Sequence, residues 1–343
     1  MVKREGHLME KVTDWDNIVL AYRNASRGRG HTRGVIEFRQ NKDENLRNIQ
    51  KMLKEGTYKS SEYHRFDRKE SGKVRHIAAL PFYPDRVVHW AVIQATQHVF
   101  IRNFIAQTYA AIPGRGTHTA IRDLKRGLRD PRCTWCAKFD VRHYFESIDK
   151  TALLEKLARR IKDPEVMGLY TEIVKGYDGP GIPIGNLTSQ YLANLYLSDI
   201  DHYMKETMHA KYYYRYMDDI VILGWNRAWL RRLKTILTGM LADIGLVLNP
   251  RWQIFPIAPR GVDFVGYRIW SAFSLLRRRT KARLIRKSRE IVNALRNGAS
   301  PTVSMRSCLA SYHGILSWCD GTRLHRRYID PALMEMERAL CRP

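Results

Sequence analysis

Tyr212-Tyr213-Tyr214-Arg215-Tyr216-Met217-Asp218-Asp219-Ile220-Val221-Ile222-Leu223 decides how the rest of the chain is read. Tyr212–Arg215 and Ile220–Leu223 are aromatic and β-branched runs of strand length, and the tight acidic turn Met217-Asp218-Asp219 joins them as a hairpin. A second acid, Asp140, ends the short apolar strand Cys136-Ala137-Lys138-Phe139-Asp140. Carboxylates gathered at strand ends repel one another and are costly to desolvate. A divalent cation removes that cost, and two Mg²⁺ ions roughly 3.5–4 Å apart can clamp the attacking and leaving oxygens of a phosphoryl transfer. Mg²⁺ suits a site of few carboxylates that leaves room for water and substrate phosphates. An isolated Asp-Asp pair forms only a turn. Its weight here comes from what surrounds it in the chain.

The 343 residues carry 59 Lys+Arg against 34 Asp+Glu, a net charge of +25, with 44% hydrophobic residues. So apolar a composition is that of a folded protein, and so basic a folded chain points to a polyanion, nucleic acid before an anionic membrane surface. No run reaches the ~18–20 apolar residues of a membrane span. The charged start Met1-Val2-Lys3-Arg4-Glu5 has no apolar segment behind it, so no secretory leader is expected and the cytoplasm is the expected compartment. Five cysteines, an odd number, argue against a disulfide framework. Cys133-x-x-Cys136 lacks a second Cys/His pair at zinc-finger spacing and reads as two free thiols.

Residues 1–60 read as polar helices broken by the basic loop Ser26-Arg27-Gly28-Arg29-Gly30. Tyr63–Leu80 reads as short strands around a hairpin tip at Ser71-Gly72-Lys73. Val88, Val92, Ala95 and Val99 give Val87–Phe100 a buried helical face. Leu153, Leu154, Leu157 and Ile161 mark an amphipathic helix. Gly176–Gly185 must be a loop, and Leu192, Leu195, Tyr196 and Tyr203 place a helix after it. A further helix runs through Leu230, Leu233, Leu237 and Leu241 to a C-cap at Gly245. From Leu275 to Pro343, fifteen Lys+Arg against five Asp+Glu mark a basic helical module that holds +10 of the net charge.

Tyr216-Met217-Asp218-Asp219 resembles the Tyr-x-Asp-Asp signature of reverse transcriptases. Phe139-Asp140-Val141-Arg142-His143-Tyr144-Phe145 looks like that family's first palm motif. Gly72-Lys73-Val74-Arg75-His76-Ile77 with Asp85-Arg86-Val87-Val88 is similar to the fingers motif of bacterial and group II intron-type enzymes. Tyr109–Thr117 and Asp263-Phe264-Val265-Gly266-Tyr267 match two more motifs, so the resemblance covers about Lys73 to Trp270 in the expected order. It implies an α/β (α+β) right-hand polymerase: fingers and palm with an antiparallel palm sheet, then an all-α thumb. The boundaries expected are an N-terminal extension and fingers over 1–130, palm over 131–272 and thumb over 273–343.

The resemblance also implies roles. Asp140 and Asp218 would ligate two Mg²⁺ ions (Mn²⁺ the alternative) with the Val141 carbonyl, and Asp219 would be a weaker ligand or stand behind them. Lys73 and Arg75 would hold the incoming triphosphate. Phe145, at the steric-gate position, would block a 2′-OH; read alone it is a core aromatic. Tyr216, Met217, Ile184, Gly185 and Gln190 would border the deoxynucleotide. Arg115 with Arg279, Arg283, Arg286 and Lys287 would meet nucleic-acid phosphates.

Two departures from the family pattern are informative. Ile182-Pro183-Ile184-Gly185-Asn186-Leu187-Thr188-Ser189-Gln190 has Ile-Gly-x-x-x-Ser-Gln where most members have Gln-Gly-x-x-x-Ser-Pro. That form resembles the enzymes of diversity-generating retroelements of phages and bacteria, which copy a template RNA into adenine-mutagenised cDNA with a small basic pentameric accessory variability protein as partner. In that resemblance the partners are template RNA, primer and dNTPs, and the compartment is the bacterial host cytoplasm. Trp252 stands where the family usually has a lysine assigned as general acid for pyrophosphate, and neighbouring Arg251 is a poor proton donor. The rival readings are a defence-associated reverse transcriptase of the abortive-infection type and a catalytically idle RNA-binding scaffold.

Overall fold

Apolar residues recurring at helical spacing turn the stretch from Met9 to Lys54 into four helices: α1 (Met9–Thr13), α2 (Trp15–Ser26), α3 (Arg33–Gln40) and α4 (Lys42–Lys54). The computed structural model describes residues 4–70 and 73–341. The basic loop between α2 and α3 lies where its glycines and arginines place it, with Gly28 in the left-handed region. Strands β1 (His64–Glu70) and β2 (Lys73–Ala79) pair antiparallel, Arg68 opposite Arg75. The tip residues Ser71-Gly72 and the side chain of Lys73 lie outside the described residues.

Helices α5 (Val87–Arg102) and α6 (Thr117–Leu128) precede strand β3 (Trp135–Asp140). A 3₁₀ turn at Phe145–Ser147 leads to α7 (Lys150–Ala158), α8 (Pro164–Lys175), α9 (Leu187–Tyr196) and α10 (Ser198–His202). The sequence spacing carries one helix from Leu192 to Tyr203; the chain instead breaks at Leu197. The Ser198 hydroxyl donates to the Leu195 carbonyl at 2.7 Å, a local bond that competes with the helical ladder. Strands β4 (Tyr213–Tyr216) and β5 (Asp219–Gly224) form the acidic hairpin, followed by α11 (Arg227–Asp243) and β6 (Gln253–Pro256). The four-stranded sheet has the order β4-β5-β3-β6, with β3 and β6 antiparallel and Cys136 opposite Phe255. After α12 (Ile257–Arg260) come β7 (Val262–Phe264), β8 (Tyr267–Ile269) and β9 (Ser274–Leu276), a second antiparallel sheet. The chain closes on α13 (Arg278–Arg296), α14 (Val303–Leu316), α15 (Thr322–Leu324) and α16 (Asp330–Leu340).

Two compact units result. The first comprises Met1–Pro113, Phe139–Ile220 and Arg232–Trp252. Its core centres on α5, whose Val88, Val92 and Phe100 are shut from solvent and which packs on α2 and α9. Asp163 fastens two helix starts of this unit. Its carboxylate accepts from the Glu165 and Val166 amides of α8 at 3.1 and 3.2 Å, and from the Leu8 and Met9 amides at 2.8 and 3.0 Å. Burial works against that charge, but the four N–H donors hold the carboxyl below its usual range.

The second unit comprises Gly114–Lys138, Val221–Arg231 and Gln253–Pro343. Here β7-β8-β9 and the helices α6, α13, α14 and α16 supply the core. Glu335 of α16, nearly shut from solvent, joins the helices by accepting from Arg296 of α13 at 3.1 Å and Arg338 at 3.2 Å. Among the described residues no helix is long and apolar enough to cross a membrane.

Candidate active site

Asp140 lies at the end of β3 and is held from both sides of its own peptide. Asn249 donates from its backbone to the Asp140 carbonyl at 2.7 Å and from Nδ2 to Asp140 Oδ2 at 2.8 Å. A bridge between Val141 and Leu248, and the Arg142 amide donating to the Val247 carbonyl at 2.8 Å, continue the pairing. Asn249 was not singled out in the sequence; its place directly before Pro250 reads as turn chemistry and hides its contact with a carboxylate.

Asp218 sits in the two-residue turn between β4 and β5, after Met217 in a left-handed conformation (φ 55°). The turn is anchored from beneath by Arg215. Its fully buried guanidinium meets Asp201 at 2.6 Å, Asn194 Oδ1 at 3.0 Å and the Met217 carbonyl at 3.0 Å. Tyr213 donates its hydroxyl to the same Asp201 at 2.7 Å. Burial opposes the charge on Arg215, but the Asp201 carboxylate more than offsets it and the guanidinium stays protonated.

The turn and β3 bring Asp218 beside Asp140. Burial, then the neighbouring Asp140 carboxylate within hydrogen-bonding reach, push the Asp218 carboxyl well above its usual range, and Asp219 adds to the push. These are all oxygen donors that repel one another, the donor set a hard divalent cation relieves. Among the described residues no three His, Cys, Asp or Glu side chains converge into a closed cage. Adjacent carboxylates of this kind suit a hard divalent cation that keeps water and phosphate among its ligands.

The loop before α9 is threaded tightly past this region. Gly181 (φ 62°) sits so close to Phe145 that a Cβ there would fall 2.0 Å from the Phe145 carbonyl, which accepts from the Ile182 amide at 2.9 Å. Gly185 (φ 138°) lets the loop run against β2, where a Cβ would meet the Ala78 carbonyl at 3.0 Å. Phe145 is half-buried and edge-on to Tyr144, with ring centroids 5.6 Å apart. Ile184, Tyr216 and Met217 are half-buried, and Arg75 and Gln190 are exposed. Asp140, Val141, Asp218, Asp219, Arg75, Phe145, Ile184, Gly185, Gln190, Tyr216 and Met217 all belong to the first unit.

That unit also holds a feature the sequence did not reveal. Gly185, Gln190, Arg27, Arg29, Arg86 and Trp90 border a hollow of about 360 Å³. Arg86 has its charge disfavoured by burial and then by Arg29, and neither guanidinium has an ion-pair partner among the described residues. Asn186 turns its side chain to the Tyr63 hydroxyl at 2.9 Å, leaving the α9 start without a side-chain cap. Two guanidiniums without ion-pair partners thus lie beside a helix start that has no side-chain cap, a combination of charge and N–H donors that suits an anion.

Arg115, Arg279, Arg283, Arg286 and Lys287 belong to the second unit. The last four are exposed on α13, but Glu290 pairs with both Lys287 at 2.7 Å and Arg286 at 3.5 Å, so that face is less positive than its arginine count. Trp252 is partly exposed, and Lys234 of α11 lies 5.2 Å from its ring centre. All five cysteines are free thiols.

The sequence profile described as Reverse transcriptase (RNA-dependent DNA polymerase) matches residues 67–269, more than half of the chain. The chain belongs to the reverse transcriptase family. Its similarity to Protein YkfC of Escherichia coli is 26% identity over 246 residues, covering 59% of this chain and 64% of YkfC. To the group II intron-encoded protein LtrA of Lactococcus lactis it is 27% identical over 203 residues, 55% of this chain and 33% of LtrA. The chain thus spans less than two thirds of either relative. Apo telomerase from Candida Tropicalis shares the fold, with a TM-score of 0.52 at 12% identity over 82% of this chain and 58% of the other. The mixed α/β architecture with antiparallel sheets and C-terminal helices is that of a reverse transcriptase.

Proposed function

We propose that this reverse transcriptase adds deoxynucleotides to a primer 3′-OH on an RNA template at Asp140 and Asp218, and that it serves a diversity-generating retroelement. The observation that carries the chemistry is the pair of carboxylates pressed together, with Asp218 driven above its usual pKa by burial and by Asp140. A binding surface alone gives no reason to keep that repulsion. Asp140, Asp218 and the Val141 carbonyl would hold Mg²⁺, which when bound supplies charge neutralisation for the triphosphate and activation of the primer hydroxyl. Asn249 orients Asp140, and Arg215 orients the turn bearing Asp218. Arg75 and Lys73 would meet the triphosphate, and Phe145 would crowd a 2′-OH. The guanidiniums of Arg29 and Arg86 and the open start of α9 suit backbone phosphates of the template.

The retroelement assignment rests on Ile184 and Gln190 replacing the family's usual glutamine and proline, and with it comes a small accessory variability protein as partner. Extension of a DNA primer on RNA with Mg²⁺, followed by sequencing of the cDNA, tests both levels. No extension would overturn the polymerase role. Extension with errors spread evenly over the four template bases, even with the native RNA and partner present, would overturn the retroelement role alone.

A further inference from the structure

One face of α6 in the second unit carries a stripe of basic side chains that the polymerase chemistry does not use. His118, Arg122, Lys125 and Arg129 follow one another at helical spacing from the start of α6 to its C-cap, a span of about 16 Å. Arg122, Lys125 and Arg129 make no side-chain hydrogen bond or ion pair among the described residues; Arg126, beside them, is partly neutralised by Asp123 at 3.5 Å. The cations line a hollow of about 430 Å³ whose far wall is Ser317–Asp320. Asp320, the acid on that wall, accepts from the Ser274 amide at 2.8 Å and keeps its charge, but it pairs with none of these cations and is outnumbered by them. At the other end of the stripe, the His118 and Trp318 rings stack with centroids 3.8 Å apart and planes within 7°, and Trp318 remains 40% exposed.

Unpaired cations at phosphate-like spacing are an electrostatic footprint, but alone they would suit any acidic surface. The partly exposed aromatic stack narrows the choice. A nucleobase can extend such a stack, a contact worth about 1–3 kcal/mol and indifferent to sequence, and it needs bases freed from a duplex. We propose that the α6 face, with Trp318 and His118, binds a single-stranded segment of RNA, phosphates along Arg122, Lys125 and Arg129 and a base against the stacked rings. The proposal goes beyond the polymerase reading and rests on none of its metal or nucleotide contacts.

The test uses the full chain, a labelled unstructured 30-nucleotide RNA, and a short primer–template for extension. In the R122Q/K125Q/R129Q variant, RNA affinity at 0.15 M salt should fall about tenfold. The log–log salt slope should fall by about 2, near 0.7 for each lost single-strand contact. Extension of the short primer–template at saturation should stay within twofold of the parent, so loss of this surface and loss of the active site read out separately. Photocrosslinking of the unaltered protein to 4-thiouridine RNA should label peptides carrying Trp318 or His118, an assay independent of how the variant folds. An unchanged salt slope, or crosslinks that avoid both peptides, would overturn the proposal. Capture of an acidic peptide with no loss of RNA affinity in the variant would also overturn it, by assigning the face to protein.

Discussion

The Arg215 guanidinium lies 3.0 Å from the Met217 carbonyl, so a fully buried cation pins the left-handed residue on which the acidic turn pivots. The same guanidinium is neutralised by Asp201, itself shut from solvent and also accepting from Tyr213. The network fixes the Met217 end of the turn that carries Asp218, and a turn held in advance needs no reorganisation when charge develops beside it.

This separates stability from positioning. Arg215→Met leaves Asp201 as an uncompensated buried charge and should cost about 3–5 kcal/mol in denaturant unfolding. Adding Asp201→Leu removes that orphan and should recover much of the loss, since a buried ion pair replaced by apolar groups is often near neutral. Extension should stay depressed in the double variant, with kcat lowered more than KM, because the Met217 carbonyl has still lost its donor. Recovery of kcat along with stability would reduce Arg215 to a packing role.

The Asp140–Asp218 contact makes an opposite prediction, one in which losing function raises stability. Without a cation the two carboxylates repel at close range, so Asp218→Asn should stabilise the metal-free protein by on the order of 1 kcal/mol. It should also abolish primer extension, and the rise in Tm that added Mg²⁺ gives the parent should shrink or vanish. A metal-free Tm lower than the parent's would mean that repulsion within the pair does not destabilise the fold.

Asp163 offers a check in the fold itself. It caps α8 and holds the Leu8 and Met9 amides at the entry to α1, so Asp163→Ala strips an acceptor from two helix starts. At roughly 1 kcal/mol per cap the expected loss is about 2 kcal/mol at pH 7. Its folded-state pKa is depressed, so its stabilisation is complete above the unfolded aspartate value of about 3.9 and is lost as pH falls through the lower folded value. Urea midpoints of parent and variant should differ at pH 7 and converge below about pH 3.

The hairpin around Asp218 and the burial of α5 were legible because both depend on near neighbours: alternating apolar runs about a turn, and apolar residues one helical turn apart. What holds them was not. Arg215 is one more cation in a basic chain until α10 brings Asp201 beneath it, and nothing near Asp163 in the chain shows that the start of α1 docks on it. Arg29 and Arg86 are far apart in sequence, and like charges carry no local sign that a fold will gather them. The α13 face looked more positive in sequence than it is, because Glu290 stands three and four residues from the cations it neutralises.

Ile184 is where fidelity can be tested at one side chain. It is half-buried between Pro183, which is buried, and Gly185, whose backbone runs against the Ala78 carbonyl, so its side chain is presented by a closely fitted loop. A glutamine, the usual residue at this slot, can hydrogen-bond a sugar or a base pair, and a site built on such bonds rejects misfits because its polar groups are left unpaired. Isoleucine offers only packing, and packing discriminates by about 1–3 kcal/mol per methylene-scale misfit. Ile184→Gln is therefore expected to lower misincorporation opposite template adenine by roughly tenfold while retaining extension, the loop conformation being set by Gly185 and not by residue 184. The measurement is the per-base error spectrum of cDNA made by parent and variant on one RNA. An active variant with an unchanged adenine error rate would remove Ile184 from the mechanism and leave Gln190, at the mouth of the arginine-lined hollow, as the next residue to change.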